Sequence, residues 1–411
     1  LLSRGLGDVY KRQLYTYTQC TYEKGEVVQG SQEGWIEMKP CEYTENGATI
    51  NCWEANVVPG YTITKLQANG TEERELSSGI TPVAGKFYNI TLDKDKGYTD
   101  DGQGNYIVTT AEGLKAVADI ANNGNLGINI TLTENINLTD MDWTPIGIDY
   151  NHQYTGTFNG GGHTITGLTV TGSDQYVGLF GHIGSGGTVK DVTLEEVKIE
   201  SNNDMSAVGG VAGRSYGTLE NCSVSGSVSG TVYVGGVVGA QIGGSITGCS
   251  SSATVKGMVD VGGVAGEKWG SMTACYATGN VTLEIASQKN NFGGGVVGLN
   301  GGSRVLACYA TGNVTSTGSS TGNVHIGGLF GDSYTTVTAC YWKNNQERGY
   351  KTAPESTKVD GTYVTWQKAV DAMNTALQNA GSRWRYELKG ALPTSVSYTH
   401  LRAHETRGNL V

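Results

Sequence analysis

Between residues 177 and 342 one alternation of apolar and polar positions keeps returning. In Cys275-Tyr276-Ala277-Thr278-Gly279-Asn280-Val281 the first, third, fifth and seventh residues are small or apolar, and those between are polar or aromatic. A period of two marks a strand with one buried face. The same parity runs through Cys308, Ala310, Gly312 and Val314 against Tyr309, Thr311 and Asn313, and through Cys222, Val224, Gly226 and Val228. A second, glycine-built apolar segment precedes each phrase: VGLFG at 177–181, VGGVAG at 208–213, VGGVVG at 234–239, VGGVAG at 261–266, GGGVVG at 293–298 and IGGLFG at 326–331. The last glycines, Gly181, Gly213, Gly239, Gly266, Gly298 and Gly331, are spaced 32, 26, 27, 32 and 33 residues apart. Nine or ten residues after each of the last five stands a cysteine, Cys222, Cys249, Cys275, Cys308 or Cys340; Val192 takes that place in the first copy. A short third strand, such as Gly217-Thr218-Leu219, completes each unit.

A unit of this length cannot bury its own apolar face, and stacking solves this because each coil covers the next. The pattern predicts an all-β fold built on a parallel β-solenoid of about six coils, with ~4.8 Å between strands and right-handed crossovers. Residues 96–176 lead into it. Leu114, Val117, Ala118 and Ala121 have helical spacing, Thr110 is placed to cap and Gly124 to stop the helix, which would cover the open end of the solenoid. Residues 343–395 follow the coils, and Trp366, Val370, Met373 and Leu377 predict an amphipathic helix near 364–380, stopped by Gly381, as the second helical cap. Residues 14–95 are different: LYTYTQC, GWIEMK, ATINCW, YTITKL and FYNITL are short strand candidates that suggest an antiparallel β-sandwich truncated at its start.

Composition agrees with this division. About 41 of the 63 Gly fall between 151 and 345, where bends between strands call for them, and no Pro occurs between Pro145 and Pro354, where it would delete ladder hydrogen bonds. A net charge of −10 without a basic patch excludes a nucleic-acid binder. No apolar run reaches 18 residues, so no transmembrane helix is expected. The ends, LLSRGLGDVYKRQ (1–13) and VSYTHLRAHETRGNLV (396–411), resemble translated sequencing-library adapters on a metagenomic gene fragment. They are set aside from fold reasoning, and with them His404-Glu405, an HE pair whose second zinc ligand is missing because position 408 is Gly.

The repeated G-G-apolar-apolar-G segment followed by C-Y-A-T-G-N-V resembles the GLUG-motif repeats, over about residues 177–342. GLUG repeats occur in large bacterial surface and secreted proteins, including some immunoglobulin A proteases, where they are accessory regions. The resemblance implies an extracellular or cell-surface, repetitive, non-catalytic module. The phrase GITPVAGKFYNITLDK near residue 90 resembles the last strand of fimbrillin-like proteins, which implies a surface or pilus-associated protein.

Candidate chemistry is sparse. Five cysteines at one repeat position form a line, and a line cannot surround a tetrahedral ion, so Cys222, Cys249, Cys275, Cys308 and Cys340 read as a buried core ladder rather than a metal site. Cys20, Cys41 and Cys52 form an odd trio, of which one pair could bridge. On the outer parity, Tyr276, Tyr309 and Tyr341 would stack, with Trp342 beside the last, as a stripe able to hold sugar rings or a partner protein, or simply as a side-chain ladder. The acids Asp191, Glu195, Glu196, Glu220, Asp260, Glu267, Glu284 and Asp332 show no common repeat position, so no hydrolytic carboxylate cluster is expected. Asp93, Asp95, Asp100 and Asp101 lack the spacing of a calcium loop. The GGxxG runs lack a phosphate-loop Lys, and His152, His163, His182 and His325 stand singly. The expectation is a protein without cofactor or chemistry of its own, an adhesin or spacer for glycans or host and matrix proteins. A carbohydrate-active β-helix enzyme, or an accessory region of a larger secreted protease, is the alternative; three or more carboxylates converging in one groove would favour the enzyme.

Overall fold

The structure is a computed structural model that describes residues 2–4, 12–23, 26–45, 48–68, 72–83, 89–91, 96–285, 290–318, 323–349 and 356–398. The chain divides into two units, Leu1–Lys96 and Gly97–Val411.

The first unit holds two four-stranded sheets, in agreement with an antiparallel β-domain. One has the order Glu26–Glu37, Arg12–Glu23, Ile63–Ala68, Glu72–Ile80; the other has Lys39–Glu45, Ala48–Glu54, Leu2–Arg4, Asn89–Thr91. Leu2–Arg4, within the expected adapter segment, pairs parallel to Asn89–Thr91, while all other pairings in this unit are antiparallel. Leu14, Met38, Ile63 and Leu66 make its small core. Cys41 is disulfide-bonded and stands opposite Cys52 in the ladder. The side chains of Cys20 and Cys52, the Asp93–Asp95 pair, part of the fimbrillin-like phrase (84–88 and 92–95) and His404-Glu405 lie outside the described residues.

The second unit is the parallel β-solenoid, of about seven turns. Six coils carry the repeated motif and have three faces each. A broad sheet takes up the Thr-Leu/Ile/Met segment and the Cys phrase. The glycine segment supplies two narrow six-stranded sheets. The first narrow sheet stacks Tyr176–Val177, Ala207–Gly209, Tyr233–Gly235, Asp260–Gly262, Asn291–Gly294 and Val324–Gly327; the second stacks Phe180–Ile183, Ala212–Ser215, Val238–Gln241, Ala265–Lys268, Val297–Asn300 and Phe330–Ser333. Earlier rungs at Asn105–Val108, Asn129–Leu132 and Thr157–Asn159 extend the broad sheet towards the N-terminus.

Inside runs one continuous core, in which Val189, Leu219, Ile246, Met272, Val305 and Val337 stack from coil to coil. The glycines of the motif serve the bends through close approach rather than through positive φ. None of the six last glycines has a left-handed backbone. A Cβ on Gly239 would lie 2.4 Å from the amide nitrogen of Val208, and one on Gly266 2.4 Å from that of Val234. The two narrow sheets approach back to back across a tight corner, and only a residue without Cβ allows it.

Two helices flank the coils. α1 (Ala111–Asn122) starts where Thr110 accepts a hydrogen bond from the Gly113 amide at 3.1 Å, and it buries Leu114, Val117, Ala118 and Ala121 in the solenoid core. α2 (Trp366–Asn379) buries Trp366, Ala369, Val370, Met373 and Leu377. Its sequence predicts an end cap. Instead it packs, with the hairpin Trp384–Lys389/Leu392–Ser397, on the outer flank of the broad sheet against Ala274, Leu306, Ala307 and Tyr309. The end of the last coil is met by Arg348 and Gly349, whose carbonyls accept from the amides of Gly328, Leu329 and Phe330.

Candidate functional site

The cysteine ladder is where the parity places it. Cys222, Cys249, Cys275, Cys308 and Cys340 are buried free thiols in the core, and Val192 pairs with Cys222 as the first rung. Each of the five thiols lies near the carbonyl two residues before it, at 3.3–3.5 Å. Burial pushes the thiols of Cys275 and Cys340 up, so they stay protonated and unreactive. Among the described residues no group of three or more His, Cys, Asp or Glu is arranged to hold a metal ion.

The tyrosine column forms but is not an exposed stripe. Tyr276, Tyr309 and Tyr341 are in register, and the first two rings stack at 4.9 Å and 1°. Tyr309 is wholly buried. Trp366 and Tyr386 meet its ring edge-on at 5.1 and 5.8 Å, and its hydroxyl donates to the Pro393 carbonyl at 2.5 Å. Tyr276 and Tyr341 are half-buried under the same module. Trp342 is not beside Tyr341 on the outside. It continues the inward column of Ala277 and Ala310, at 5% exposure, and fills space left by Gly328 and Gly349. Cys340 and Trp342 have the same parity, so the inward position was already written in the alternation. The column is thus the seat of the C-terminal module.

The polar and aromatic side chains of the solenoid gather at the corner between the narrow sheets. On the second narrow sheet the residue after each last glycine forms the register column His182, Arg214, Ala240, Glu267, Leu299, Asp332. On the first narrow sheet the facing column is Tyr176, Ala207, Tyr233, Asp260, Phe292, His325. The expectation that the acids share no repeat position is therefore corrected: Glu267 and Asp332 both follow the last glycine of their motif. Both also stand eight residues before the ladder cysteine of their coil, Cys275 and Cys340, so the shared position was present in the sequence.

At one end of the corner His182 is wholly buried between Tyr216, stacked at 5.6 Å, and Tyr176, edge-on at 5.3 Å, and neither ring nitrogen has a hydrogen-bond partner. Burial, with the Arg214 charge, pushes its pKa down to about 4. Arg214 donates to the hydroxyls of Tyr216 and Tyr176 at 3.0 and 3.4 Å. In the middle, Asp260 is 3% exposed, and its Oδ1 has no partner. Burial, and then the Glu267 charge, push its carboxyl up to about 8. Glu267 is half-exposed, and burial raises it as well. At the far end Asp332 sits 3.4 Å from His325 and accepts from the Tyr334 hydroxyl at 2.8 Å. Two carboxylates, Asp260 and Glu267, thus act on each other, and Asp332 lies two rungs further along. The next residues inward, Ser215, Gln241, Lys268, Asn300 and Ser333, form a buried polar spine. Gln241 bonds the carbonyls of Gly217 and Gly243, and Lys268 that of Ser303, tying the sheet to its turns.

Elsewhere, Asp101 is used by its own turn, accepting from the Asn105 side-chain amide and from the backbone amides of Gln103 and Asn105, which holds its carboxyl low. No described helix is long and apolar enough to cross a membrane.

The GLUG motif model matches residues 206–229 and 230–256, which are consecutive coils of the solenoid. Halomucin of Haloquadratum walsbyi is 31% identical over 246 residues, 47% of this chain and 3% of that protein. A "Putative Gly-rich membrane protein" of Evansella cellulosilytica is 34% identical over 123 residues, 29% of this chain and 14% of that protein. The chain thus spans a small part of the length of the curated relatives it matches. Among solved structures, a "putative immunoglobulin A1 protease" from Bacteroides ovatus is similar in fold, with a TM-score of 0.54 and 17% identity, over 74% of this chain and 94% of that one.

Proposed function

We propose that this chain, with GLUG motifs in consecutive coils, is part of a bacterial cell-surface or secreted repeat protein and works without chemistry of its own, as an adhesin or spacer. The names of the relatives, halomucin and a Gly-rich membrane protein, support the location. The observation that carries the mechanical reading is the unbroken core ladder from Val189 to Val337, which makes the coils a stiff rod that holds a surface or a neighbouring domain at a distance. Contact with glycans or host and matrix proteins then falls to the corner between the narrow sheets, because the tyrosine column is occupied from within the chain. A rod that presents the same kind of contact in successive coils gains from many weak contacts at once. A binding screen of the whole chain against immobilised glycans and matrix proteins tests this; retention on neither class leaves the spacer role alone.

A second reading has one observation in its favour. A protonated Asp260 beside Glu267 resembles the acid and base that glycoside hydrolysis needs. Against it, Asp260 lies on the corner floor at 3% exposure, where a glycosidic oxygen with a ring on either side does not fit. Hydrolysis of a neutral polysaccharide that Glu267→Gln abolishes would establish the enzyme.

A further inference from the structure

Three residues after the last glycine, one outward position beyond the charged column, stands a second column: Tyr216, Ile242, Trp269, Gly301, Tyr334. Its members are neighbours in the parallel ladder: the amides of Ile242, Trp269, Gly301 and Tyr334 donate to Ser215, Gln241, Lys268 and Asn300 of the coil before. The aromatics occupy every second coil, and each has its polar edge held by the charged residue two positions earlier. Arg214 bonds the Tyr216 hydroxyl at 3.0 Å, Glu267 accepts from the Trp269 indole at 2.7 Å, and Asp332 accepts from the Tyr334 hydroxyl at 2.8 Å. Between them the column is kept low. A Cβ on Gly301 would come within 3.0 Å of the Trp269 ring, so that ring lies over the next coil. Trp269 and Tyr334 remain 45% and 72% exposed. Large apolar rings fixed at their polar edge and left open to water are unusual on a surface unless something stacks on them.

We propose that this edge binds an extended neutral polysaccharide laid along the solenoid axis, with Trp269 and Tyr334 stacking on alternate sugar rings and Glu267 accepting from a hydroxyl beside the first, while the buried Asp332 fixes the Tyr334 ring. The inference rests on the adhesive reading above and names its ligand. Two rungs separate the platforms, ~10 Å along the axis, close to the advance of two pyranose rings in an extended chain. The corner floor carries a second sign: beside Glu267 the buried Asp260 Oδ1 has no partner, so the floor under the Trp269 platform holds an unsatisfied acceptor. A neutral ligand is favoured because Glu267 flanks the Trp269 platform. The guanidinium of this column, Arg214, is already engaged by two tyrosine hydroxyls.

The test titrates the whole chain with neutral β-1,4-linked gluco-, manno- and xylo-oligosaccharides of two to six rings, and with oligogalacturonate as the anionic control. Calorimetry and indole fluorescence give the affinity. The expected result is a hexasaccharide bound ~10-fold or more tighter than the disaccharide, because only the longer chain spans both platforms. Trp269→Ala and Tyr334→Ala should each erase that gain, while Tyr363→Ala, an exposed ring outside the coils, leaves it. The circular dichroism of each variant is compared with the parent, and the milder Tyr334→Phe keeps the ring and should keep most of the gain. Affinity independent of chain length, or preference for oligogalacturonate, overturns the proposal. Binding to matrix proteins but to no sugar overturns the ligand class and leaves the adhesive reading standing; binding to neither overturns both.

Discussion

At the scale of single residues the corner sets its own pH response. The Asp260 carboxyl is pushed up to about 8 by burial and by Glu267, with Tyr233 beside both. The folded chain therefore keeps a proton that the unfolded chain releases near its ordinary value of ~4. Stability from this group is complete below that ordinary value and is lost progressively as pH rises towards about 8. Asp260→Asn removes the titration. Its stability relative to the parent should rise between pH 5 and pH 8.5 by a few kcal/mol, at ~1.4 kcal/mol for each tenfold difference in proton affinity between the folded and unfolded chain, in urea melts at both values. Parallel pH profiles for the two chains would show that the carboxyl is not held neutral. The alternation of the Cys phrase already contained the inward column, Trp342 included. The glycine segments gave no comparable sign of which polar residues meet, since that depends on two strands of different sheets folding back to back at Gly239, Gly266 and their equivalents.

At the scale of elements, the flank explains a feature that local preference does not. The residue before each rung of the ladder, Val192 and the five cysteines, has a left-handed backbone: Asp191, Asn221, Gly248, Ala274, Ala307 and Ala339, with φ between 50° and 63°. In the first two coils the position holds Asp and Asn, which suit that conformation, and the Asn221 amide bonds the Asp191 carboxylate at 2.8 Å. From the third coil on it holds Gly or Ala, although alanine costs about 1 kcal/mol there. The C-terminal module is the cause. A Cβ on Gly248 would fall 2.1 Å from the Trp384 ring, Ala274 and Ala307 are buried beneath the module, and the Tyr386 hydroxyl donates to the Ala307 carbonyl at 2.9 Å. Ala307→Asn should therefore destabilise by about 1–3 kcal/mol through overpacking, although asparagine is the better left-handed residue. Limited proteolysis should show residues 356–398 cut first while the coils resist. Unchanged protection would mean that the module tolerates the bulk. Both helices were legible from their apolar spacing and caps. Where the second one docks was not, because an amphipathic helix states that it has a partner face but not which one.

At the scale of the whole molecule the coils are interchangeable in register but not in surface. Gly230 and Gly257 are the next positions after the paired Ser229 and Lys256, so removal of residues 230–256 joins Ser229 to Gly257 at matching points. Every ladder on the far side then shifts by one rung: Ala207 meets Asp260, Ala212 meets Ala265, Thr218 meets Ser271 and Ser223 meets Tyr276. The core loses Ile246 but brings Leu219 onto Met272, and Cys222 onto Cys275, so the rod should close with a single cooperative unfolding transition. The flank should not follow. With Gly248 gone, Asn221 comes to lie under Trp384, where even a Cβ has no room. The deletion alone should therefore leave the coils folded and release residues 356–398, and the deletion combined with Asn221→Gly should dock them again. Proteolysis and intrinsic tryptophan emission separate the two chains. Equal protection of the module in both, or failure of the shortened rod to fold in either, would contradict a solenoid whose coils are exchangeable and whose module recognises one bare glycine.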